Sequence, residues 1–456
     1  MKNLEQEGIT SKIITDLISE HKPQAERMKR LYNAYKAEEL DILTRPPVDS
    51  QQANNKLVNA FRTNIVNQAV GYIFGEPIQY GVDVDDEGLQ ESFNEWIKRY
   101  RLLNRVQDLD ATTGKFMTVC GYGLRLNYID KILNERTMNI YPWEGIVIND
   151  GSLDEPQYGM IYYQIDVREG DSSNKRYMIE WYDQTNVSYF LETSGGRFEP
   201  YEGNNGKEVH PHLFKYMPLV KFKNNDEEQG DFEIVEPLID AYDRLVSDAQ
   251  NVIEDFRSAY LVFEGGDAPT KDEVDAMKRA RAIAGPGKVS YLTKEIADEF
   301  LENQKDTLKA NIYRFTQSVD MDDDAFHSAE SGEARKWRLM ALENKAIVKE
   351  RKFDAALREQ FRILTSYQRS PNIDYLDFTW EFRRNLPIDL QYLGEVAMKF
   401  KGILSHKTIL SLLPFVDDPQ AEYDEYIEEM GGMIDLDDYD DGDEGDDLTT
   451  EEGGDE

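Results

Sequence analysis

One stretch with helical periodicity, residues 236–263, limits the architecture of this chain more than any other segment. Its apolar residues recur at alternating spacings of four and three, and a second apolar stripe recurs every seven residues. Sustained over about three heptads, this pattern predicts a helix about 40 Å long with a wide apolar face. The first stripe contains Leu238, Tyr242, Leu245, Ala249, Val252 and Phe256. Such a helix lies in the core of its own subunit or packs against copies of itself, and periodicity alone allows both.

A compact insert follows this helix. A short helix is predicted from Lys271 to Ala284 and a strand from Lys288 to Thr293, before a return helix from Lys294 to Val319. A very long helix, capped by Ser331, is then predicted to continue to about Ser366. The insert therefore connects two helices that can form a hairpin.

The first half of the chain combines N-terminal helices with a β-rich region. Thr10 caps a predicted helix that runs towards Glu38, and a second helix is predicted from Asn55 to Ile73. Residues 115–223 consist of short runs rich in β-branched and aromatic residues, separated by turn-forming sequences, which is typical of antiparallel strands. The first of these strands is predicted from Phe116 to Tyr128.

The C-terminal part begins with an alternating sequence. Apolar residues from Leu376 to Phe382 alternate with polar ones, which predicts a half-buried strand that returns to the earlier sheet. Short helices are then predicted at about Asp389 to Lys401, Ser405 to Leu413 and Pro419 to Met430. Residues 434–456 are acidic and poor in large apolar groups, which predicts a disordered tail, either a solubilising segment or a docking tail for a basic partner.

Charge and cysteine content restrict the possible functions. The formal net charge of −37 repels phosphate at long range, which argues against tight, sequence-specific DNA binding but not against a protein past which DNA slides. The single cysteine, Cys120, excludes an internal disulfide and a zinc site with paired thiolates. No run reaches the roughly 18 apolar residues of a membrane helix, and no signal peptide is recognised, so we expect assembly in a reducing cytoplasm.

Enzyme motifs are poorly matched. The sequence 285–288 (Gly-Pro-Gly-Lys) suggests a phosphate loop, but Ala282 and Val289 stand where that loop requires Gly and Ser or Thr. His210 and His212 would share one face of a strand and could bind a metal, although ordinary core or surface histidines are the commoner explanation. No catalytic residue, cofactor or metal is therefore predicted.

An acidic segment leaves one enzymatic alternative open. Asp320, Asp322 and Asp324 imitate the start of a calcium loop, but Ala325 replaces its glycine. A metal-dependent nuclease could instead use a group of neighbouring acids with one histidine. That group would be Asp322, Asp323, Asp324, His327 and Glu330.

From about residue 20 to residue 430 the sequence resembles the portal proteins of long-tailed phages that infect Gram-positive bacteria. Four stretches carry the resemblance, and their order and spacing are more specific than any one of them. They are Asn54-Asn55-Lys56 with Gly71 to Ile78; Pro218 to Asn225 with Gly230 to Tyr242; Phe326 to Ala346; and Gly402 to Pro414.

The resemblance implies an α+β portal fold with an α/β wing, a helical stem hairpin, a small α/β clip and a helical crown. The implied divisions are 1–235 (wing), 236–263 (stem helix), 264–301 (clip), 302–319 (second stem helix), 320–331 (tunnel loop), 332–385 (long helix and returning strand of the wing), 386–433 (crown) and 434–456 (acidic tail). The first apolar stripe of the stem would then pack between neighbouring subunits.

The resemblance also implies a ring, expected to contain twelve copies, at one capsid vertex of the virion. Double-stranded DNA would pass through it without sequence specificity, and its partners would be the terminase large subunit, a head-completion or adaptor protein, and the capsid and scaffolding proteins. The tunnel-loop residues expected to line the channel are Asp322, Asp323, Asp324, Phe326 and His327, although Phe326 could equally anchor the loop to the wing. Lys305, Lys309 and Arg314 on the return helix would contact the DNA backbone weakly or form salt bridges between subunits. A non-portal scaffold or adaptor that oligomerises through the same helix is a further alternative.

Overall fold

The computed structural model describes most of the chain, and two compact units divide it, residues 1–385 and 386–456. The described residues are 8–47, 53–149, 156–169, 172–202, 206–256, 260–264, 270–280, 288–292, 298–321, 332–367, 373–385, 390–410, 413, 416 and 422–428.

Helices and strands are both abundant in the first unit, which confirms the α+β class. The helices are α1 (Ser11–Tyr35), α2 (Asp41–Thr44), α3 (Phe61–Phe74), α4 (Glu87–Asn104), α5 (Val106–Cys120), α6 (Glu236–Phe256), α7 (Lys271–Ala280), α8 (Asp298–Phe315) and α9 (Gly332–Thr365). The strands are β1 (Gln79–Val82), β2 (Tyr122–Ile129), β3 (Glu135–Ile140), β4 (Gly145–Ile148), β5 (Tyr158–Glu169), β6 (Ser172–Tyr182), β7 (Asn186–Glu192), β8 (Phe198–Pro200), β9 (Val209–Pro211), β10 (Leu219–Lys223), β11 (Tyr260–Glu264), β12 (Lys288–Leu292) and β13 (Phe378–Glu381).

The first helix begins where the sequence predicts. The Thr10 hydroxyl accepts a hydrogen bond from the Ile13 amide at 3.4 Å and so caps α1. The helix ends at Tyr35, before the predicted limit, because Ala37 and Glu39 adopt positive φ angles of 60° and 53°.

The second predicted helix starts later than expected. Residues 53–59 have no regular secondary structure, and α3 begins only at Phe61. The amides of Asn55, Leu57 and Asn59 donate to side chains of α6 instead of to carbonyls of their own segment. A tertiary contact therefore replaces the first turns of the predicted helix.

The predicted strand from Phe116 to Tyr128 is wrong in its first part. Residues up to Cys120 belong to α5, and only Tyr122–Ile129 form β2. Because α5 is buried on several sides, its apolar residues lack the amphipathic spacing of a surface helix. At Gly121, which has a φ of 94°, a β-carbon would lie 1.9 Å from the Glu228 carbonyl oxygen, so the helix-to-strand turn requires glycine.

Two antiparallel sheets build the β region. One has the order β10-β2-β3; the other has the order β4-β5-β6-β7-β8, with β9 also paired to β7. The first sheet contributes Leu124 and Phe222 to the buried interior, and α1 covers the second sheet by packing Ile14 against Ile179 and Trp181. The core that contains Leu124 also contains residues of α6 and α8.

The alternating strand forms, but it does not join these sheets. The β13 strand pairs antiparallel with β1, matching Tyr80 to Trp380 and Val82 to Phe378. The prediction that this strand returns to the earlier sheet is therefore wrong. Its apolar side instead packs on α9, where the rings of Phe361 and Phe378 lie 4.9 Å apart.

The predicted long helix over 236–263 is too long. The α6 helix ends at Phe256, and Tyr260–Glu264 form β11, which pairs with β12 in register Tyr260 to Leu292. β-branched and aromatic residues in the last predicted turn favour a strand, and the pairing provides its partner. The described part of the return helix, α8, spans Asp298–Phe315.

In the second unit, α10 spans Leu390–Phe400, α11 spans His406–Leu410, and α12 spans residues 422–428. The His406 ring lies 6.3 Å from that of Tyr426, which joins α11 to α12. Each of the three short helices predicted here is thus confirmed over described residues.

Candidate functional site

The helical hairpin formed by α6 and α8 is the candidate site. The two helices pack side by side, and the antiparallel pair β11–β12 belongs to the insert between them. Leu308 and Ile312 of α8 join Ile239 and Tyr242 of α6 in the main core of the first unit. The hairpin is therefore anchored at its base and carries the insert at its other end.

Burial divides α6 into two parts, which we call the inner half (236–246) and the outer half (247–256). Ile239 is fully buried in the inner half, and Val246 packs partly buried on the same core. In the outer half Ile253 is 54% exposed, and on α8 Phe300 is 66% exposed. The apolar face thus leaves the core of its own subunit about halfway along.

The predicted oligomer-packing residues divide in the same way. Tyr242 belongs to the core of its own subunit, whereas the others that can be described are half-buried at its edge or beyond it. Those others are Leu238, Leu245, Ala249 and Val252. Phe256 lies in the last turn of α6, and its side chain is outside the described residues. Contact of this stripe with a neighbouring subunit stays a prediction.

A ladder of hydrogen bonds runs along one side of α6. Every second amide of the extended segment 53–59, which we call the strap, donates to an α6 side chain one helical turn further back. The three bonds are Asn55 N to Asn251 Oδ1 at 2.6 Å, Leu57 N to Ser247 Oγ at 3.0 Å, and Asn59 N to Asp243 Oδ1 at 2.8 Å. The strap therefore covers a polar edge of the helix in an antiparallel direction.

An ion-pair group closes the ladder at its inner end. The Arg62 guanidinium, almost fully buried, donates to Asp240 and lies 3.8 Å from the Asp243 carboxylate. Burial raises the pKa of Asp243, while hydrogen bonds from Asn59 and the charge of Arg62 oppose that rise. Asp243 Oδ1 thus accepts both hydrogen bonds from Asn59, whereas its buried Oδ2 has no hydrogen-bond partner among the described residues and only faces Arg62.

Two arginines of α1 clamp the start of the hairpin. Arg27 binds both carboxylate oxygens of Glu233, at 2.7 and 3.0 Å. Arg30 contacts both oxygens of Glu236 at 2.8 Å, at the first residue of α6. The Arg27 pair is bidentate, which fixes orientation as well as distance, whereas a single Arg30 nitrogen contacts both oxygens of Glu236. These two pairs join α1 to the start of α6.

A buried charged cluster ties the long helix α9 to the same base. Lys349 donates to Asp231 at 2.7 Å and to Asn224 and Thr118, and Lys345 lies 3.2 Å from Asp231. Burial alone would raise the pKa of Asp231, but the two ammonium groups outweigh it and hold that pKa below its usual range. Burial lowers the pKa of Lys349 to about 8, so the lysine remains charged at neutral pH.

The predicted charged residues of the return helix pair within the chain. Lys305 lies 2.7 Å from Glu302, and Lys309 lies 2.8 Å from Asp320. Arg314 is exposed in the last turn of α8. Two of these three side chains therefore have internal partners, and their contact with DNA or another subunit stays a prediction.

Most of the predicted tunnel loop, 322–331, lies outside the described residues. Asp322, Asp323, Asp324, Phe326 and His327 lie outside the described residues, as do Glu330 and Ser331. Among the residues that the structure describes, no group of three or more His, Cys, Asp or Glu side chains is placed to hold a metal ion. The residues of the nuclease alternative were all placed by the sequence in 322–330, outside the described range, so that alternative stays untested.

The two histidines considered as metal ligands have local contacts. His212 is 7% exposed; its Nε2 lies 3.2 Å from the Asp183 carbonyl oxygen, and its Nδ1 accepts a hydrogen bond from the Phe214 amide. The His210 ring stacks on Tyr189 with centroids 5.4 Å apart. Burial lowers the pKa of both rings. Both therefore act as packed residues of the sheet.

Sequence reasoning missed the polar edge of α6. Its residues are spaced by three and four, as expected for one side of a helix, so the signal was present beside the apolar stripes. The edge consists of Asp240, Asp243, Ser247, Asn251 and Glu254. Its partner, the strap, lies nearly two hundred residues earlier, and no local pattern links the two segments.

No helix within the described residues is long and apolar enough to cross a membrane.

Comparison with known proteins identifies the family. The model of the family described as "Phage portal protein, SPP1 Gp6-like" matches residues 14–434. This chain belongs to that portal protein family. The portal protein of Bacillus phage SPP1 is 26% identical over 479 aligned residues, covering 97% of this chain and 90% of the relative. The portal protein of Clostridium phage phiCD119 is 23% identical over 402 residues, covering 83% and 86%.

Membership of the portal family confirms the function expected from the resemblance. Portal proteins are structural components of the virion, form oligomeric rings in phage capsids and provide the channel for DNA packaging. The match spans the α6–α8 hairpin and the long helix α9. The hairpin is therefore part of what this chain shares with the portal family.

Proposed function

We propose that this chain is one subunit of a ring of twelve copies at a single capsid vertex, and that double-stranded DNA enters and leaves the head through it. The observation that carries the proposal is the portal-family match over residues 14–434, which includes a hairpin anchored at one end. The protein contributes shape and charge and performs no catalysis.

In this proposal α6 and α8 form the stem and the insert between them forms the clip. A closed ring needs heterologous contacts, in which one patch meets a different patch on the next subunit. Leu238, Leu245 and Val252 recur every seven residues and are half-buried, so each offers apolar surface beside the core of its own subunit. Ile253 and Phe300 add exposed apolar surface further out.

The net charge of −37 suits a channel through which DNA moves without being held. Carboxylates of the tunnel loop, Asp322 to Asp324, would surround the DNA and repel its phosphates from every side. Tight binding requires neutralisation of many phosphates by Lys or Arg, which this arrangement avoids. Phe326 and His327 would lie at the tip of the loop.

The proposed partners follow from the same arrangement. The clip would bind the terminase large subunit during packaging and a head-completion or adaptor protein afterwards. The crown, 386–433, would face the interior of the head, and the wing would contact the capsid and scaffolding proteins. Assembly would take place in the host cytoplasm.

Ring formation tests this proposal. Val252→Asp with Ile253→Asp places two charges on half-buried or exposed positions of the outer half, so we expect the subunit to fold but the ring to be lost. Mass photometry and negative-stain images would show monomers, whereas Val252→Leu with Ile253→Leu, the matched control, would still form rings with a central hole. Normal rings from the charged variant would show that this surface lies outside the subunit contact.

An activity measurement separates the alternatives. Rings without hydrolysis of DNA in the presence of magnesium agree with a portal. Magnesium-dependent hydrolysis by a monomer would instead support the nuclease, and an oligomer without a central hole would support a scaffold or adaptor.

A further inference from the structure

The strap and the polar edge of α6 have matching repeats. Two residues of extended chain advance about 6.6 Å. Four residues of α-helix advance about 6.0 Å. An amide at every second strap residue can therefore meet an acceptor at every fourth helix residue, and the three bonds at positions 55, 57 and 59 follow this rule. The three acceptors, from Asp243 to Asn251, span just over two helical turns.

The strap is also tied down from its own side. Lys56 donates to the Leu43 carbonyl oxygen at 2.7 Å, and the Asn54 side chain donates to the Arg45 carbonyl oxygen. Arg45 in turn pairs with Asp248 of α6 at 2.7 Å. The connection thus runs from α2 through the strap to the outer half of the helix.

Within the described part of the chain, the two halves of α6 differ in how much apolar packing holds them. The inner half packs Ile239 and Tyr242 into the main core. The outer half is held by polar bonds: Asn251 accepts from the amide and the side chain of Asn55, and Glu254 accepts from that side chain at 2.6 Å. Side-chain bonds at a partly exposed surface are individually weak and can open without global unfolding.

We propose that the strap, residues 53–59, is a positioning clamp that holds the outer half of α6 and so sets the tilt of the stem hairpin. The clamp opens locally, and the helix then bends from about Ser247, where its apolar face leaves the core. The significance of the tilt for the channel rests on the proposed function, but the clamp itself is a property of each subunit.

Asn251→Leu tests the clamp. The change removes the acceptor for Asn55, while leucine is a better helix former than asparagine, so damage to α6 itself is not the expected cause of any loosening. We expect amide hydrogen exchange to accelerate at least ten-fold in peptides covering 53–60 and in those covering 248–256. Ser247→Ala, which removes the middle acceptor, should act in the same direction.

Gln250→Leu is the matched control, because it also replaces an amide side chain by leucine, at the neighbouring, exposed position. Its exchange should equal that of the unchanged protein. Faster exchange in 53–60 alone would overturn the proposal, since the strap would then open without releasing the helix. Unchanged exchange in both regions would overturn it as well.

The same samples separate this inference from the function. Ring formation of the unchanged protein, seen by negative stain, addresses the portal role, whereas hydrogen exchange addresses the clamp in rings or in monomers. If Asn251→Leu forms rings and its outer half exchanges no faster, the clamp proposal is wrong and the portal role stands. If Asn251→Leu exchanges faster but the unchanged protein never forms rings, the clamp proposal stands and the portal role is wrong.

Discussion

The inner and outer halves of α6 both carry bonds of the polar ladder, but among the described residues the main core buries side chains only of the inner half. The inner half is held by burial of Ile239 and Tyr242 and by the Arg30 clamp on Glu236. The outer half exposes Ile253 and is held by the polar ladder.

This difference shows how one helix can have one half fixed in the core and another half that opens locally. Burial of apolar surface is non-directional and is lost only when the core opens. Hydrogen bonds are directional and can exchange with water one at a time. Apolar burial in the core ends near Ser247, so substitutions before and after it should change the free energy of unfolding by different amounts.

The largest effect is expected at the buried cluster that joins α9 to the base. Lys349→Met leaves the buried Asp231 carboxylate with Lys345 as its remaining charged neighbour, and loss of one partner of a buried ion pair costs about 3–5 kcal/mol. Urea unfolding followed by tryptophan fluorescence would measure the change. Lys352→Met, which removes the pair with the exposed carboxylate of Asp226, should alter stability by less than about 1 kcal/mol.

A pair of isoleucine truncations compares the two halves directly. Ile239→Ala should lower the free energy of unfolding by about 2–5 kcal/mol because the side chain is fully buried. Ile253→Ala, at a position 54% exposed, should change it by less than about 1 kcal/mol in the monomer. Equal losses at both positions, measured in the same urea titration, would contradict the division of α6 described above.

The pH dependence of folding stability gives a smaller effect, which comes from a partly buried histidine of α1. His21 lies on α1, six residues before Arg27, and its Nδ1 is 2.8 Å from the Tyr162 hydroxyl. Burial, and then the charge of Lys221, lower its pKa to about 4. Between pH 6.5 and pH 4 the unfolded chain therefore binds a proton that the folded chain does not, so stability falls as the pH falls.

The loss attributable to His21 is at most about 3 kcal/mol, because solvent screens a ring that is only partly buried. His21→Gln keeps a neutral hydrogen-bonding group and should remove this part of the slope. Unfolding titrations of both proteins between pH 4 and pH 7 would measure it. A variant that still loses the same stability over this range would assign the slope to other groups.

Local patterns predicted the parts of the fold that local forces decide. Thr10 caps α1 as expected, and the alternation from Leu376 to Phe382 gave β13, because capping and burial of one face depend on neighbouring residues. The strand predicted at Phe116 failed since a helix buried on several sides lacks a polar face, and its apolar run looks the same as that of a strand.

Long-range contacts account for what the sequence could not predict. The start of α3 at Phe61, the pairing of β13 with β1, and the whole ladder depend on partners far away in the chain. The apolar stripes of α6 were visible in the sequence, but the depth to which the core covers them was not. The candidate site was thus predicted as a helix and not as a helix with two differently held halves.

The single helix α9 has a mechanical consequence. It is continuous from Gly332 to Thr365, and its buried charged cluster at Lys349 lies about 25 Å along the axis from the end at Gly332. Buried apolar residues from Leu342 to Leu364 lie on both sides of Lys349, so the helix is held along most of its length and is a rigid element of the core. The ion pairs of Lys345 and Lys349 join this rigid element to Asp231, a few residues before the start of α6.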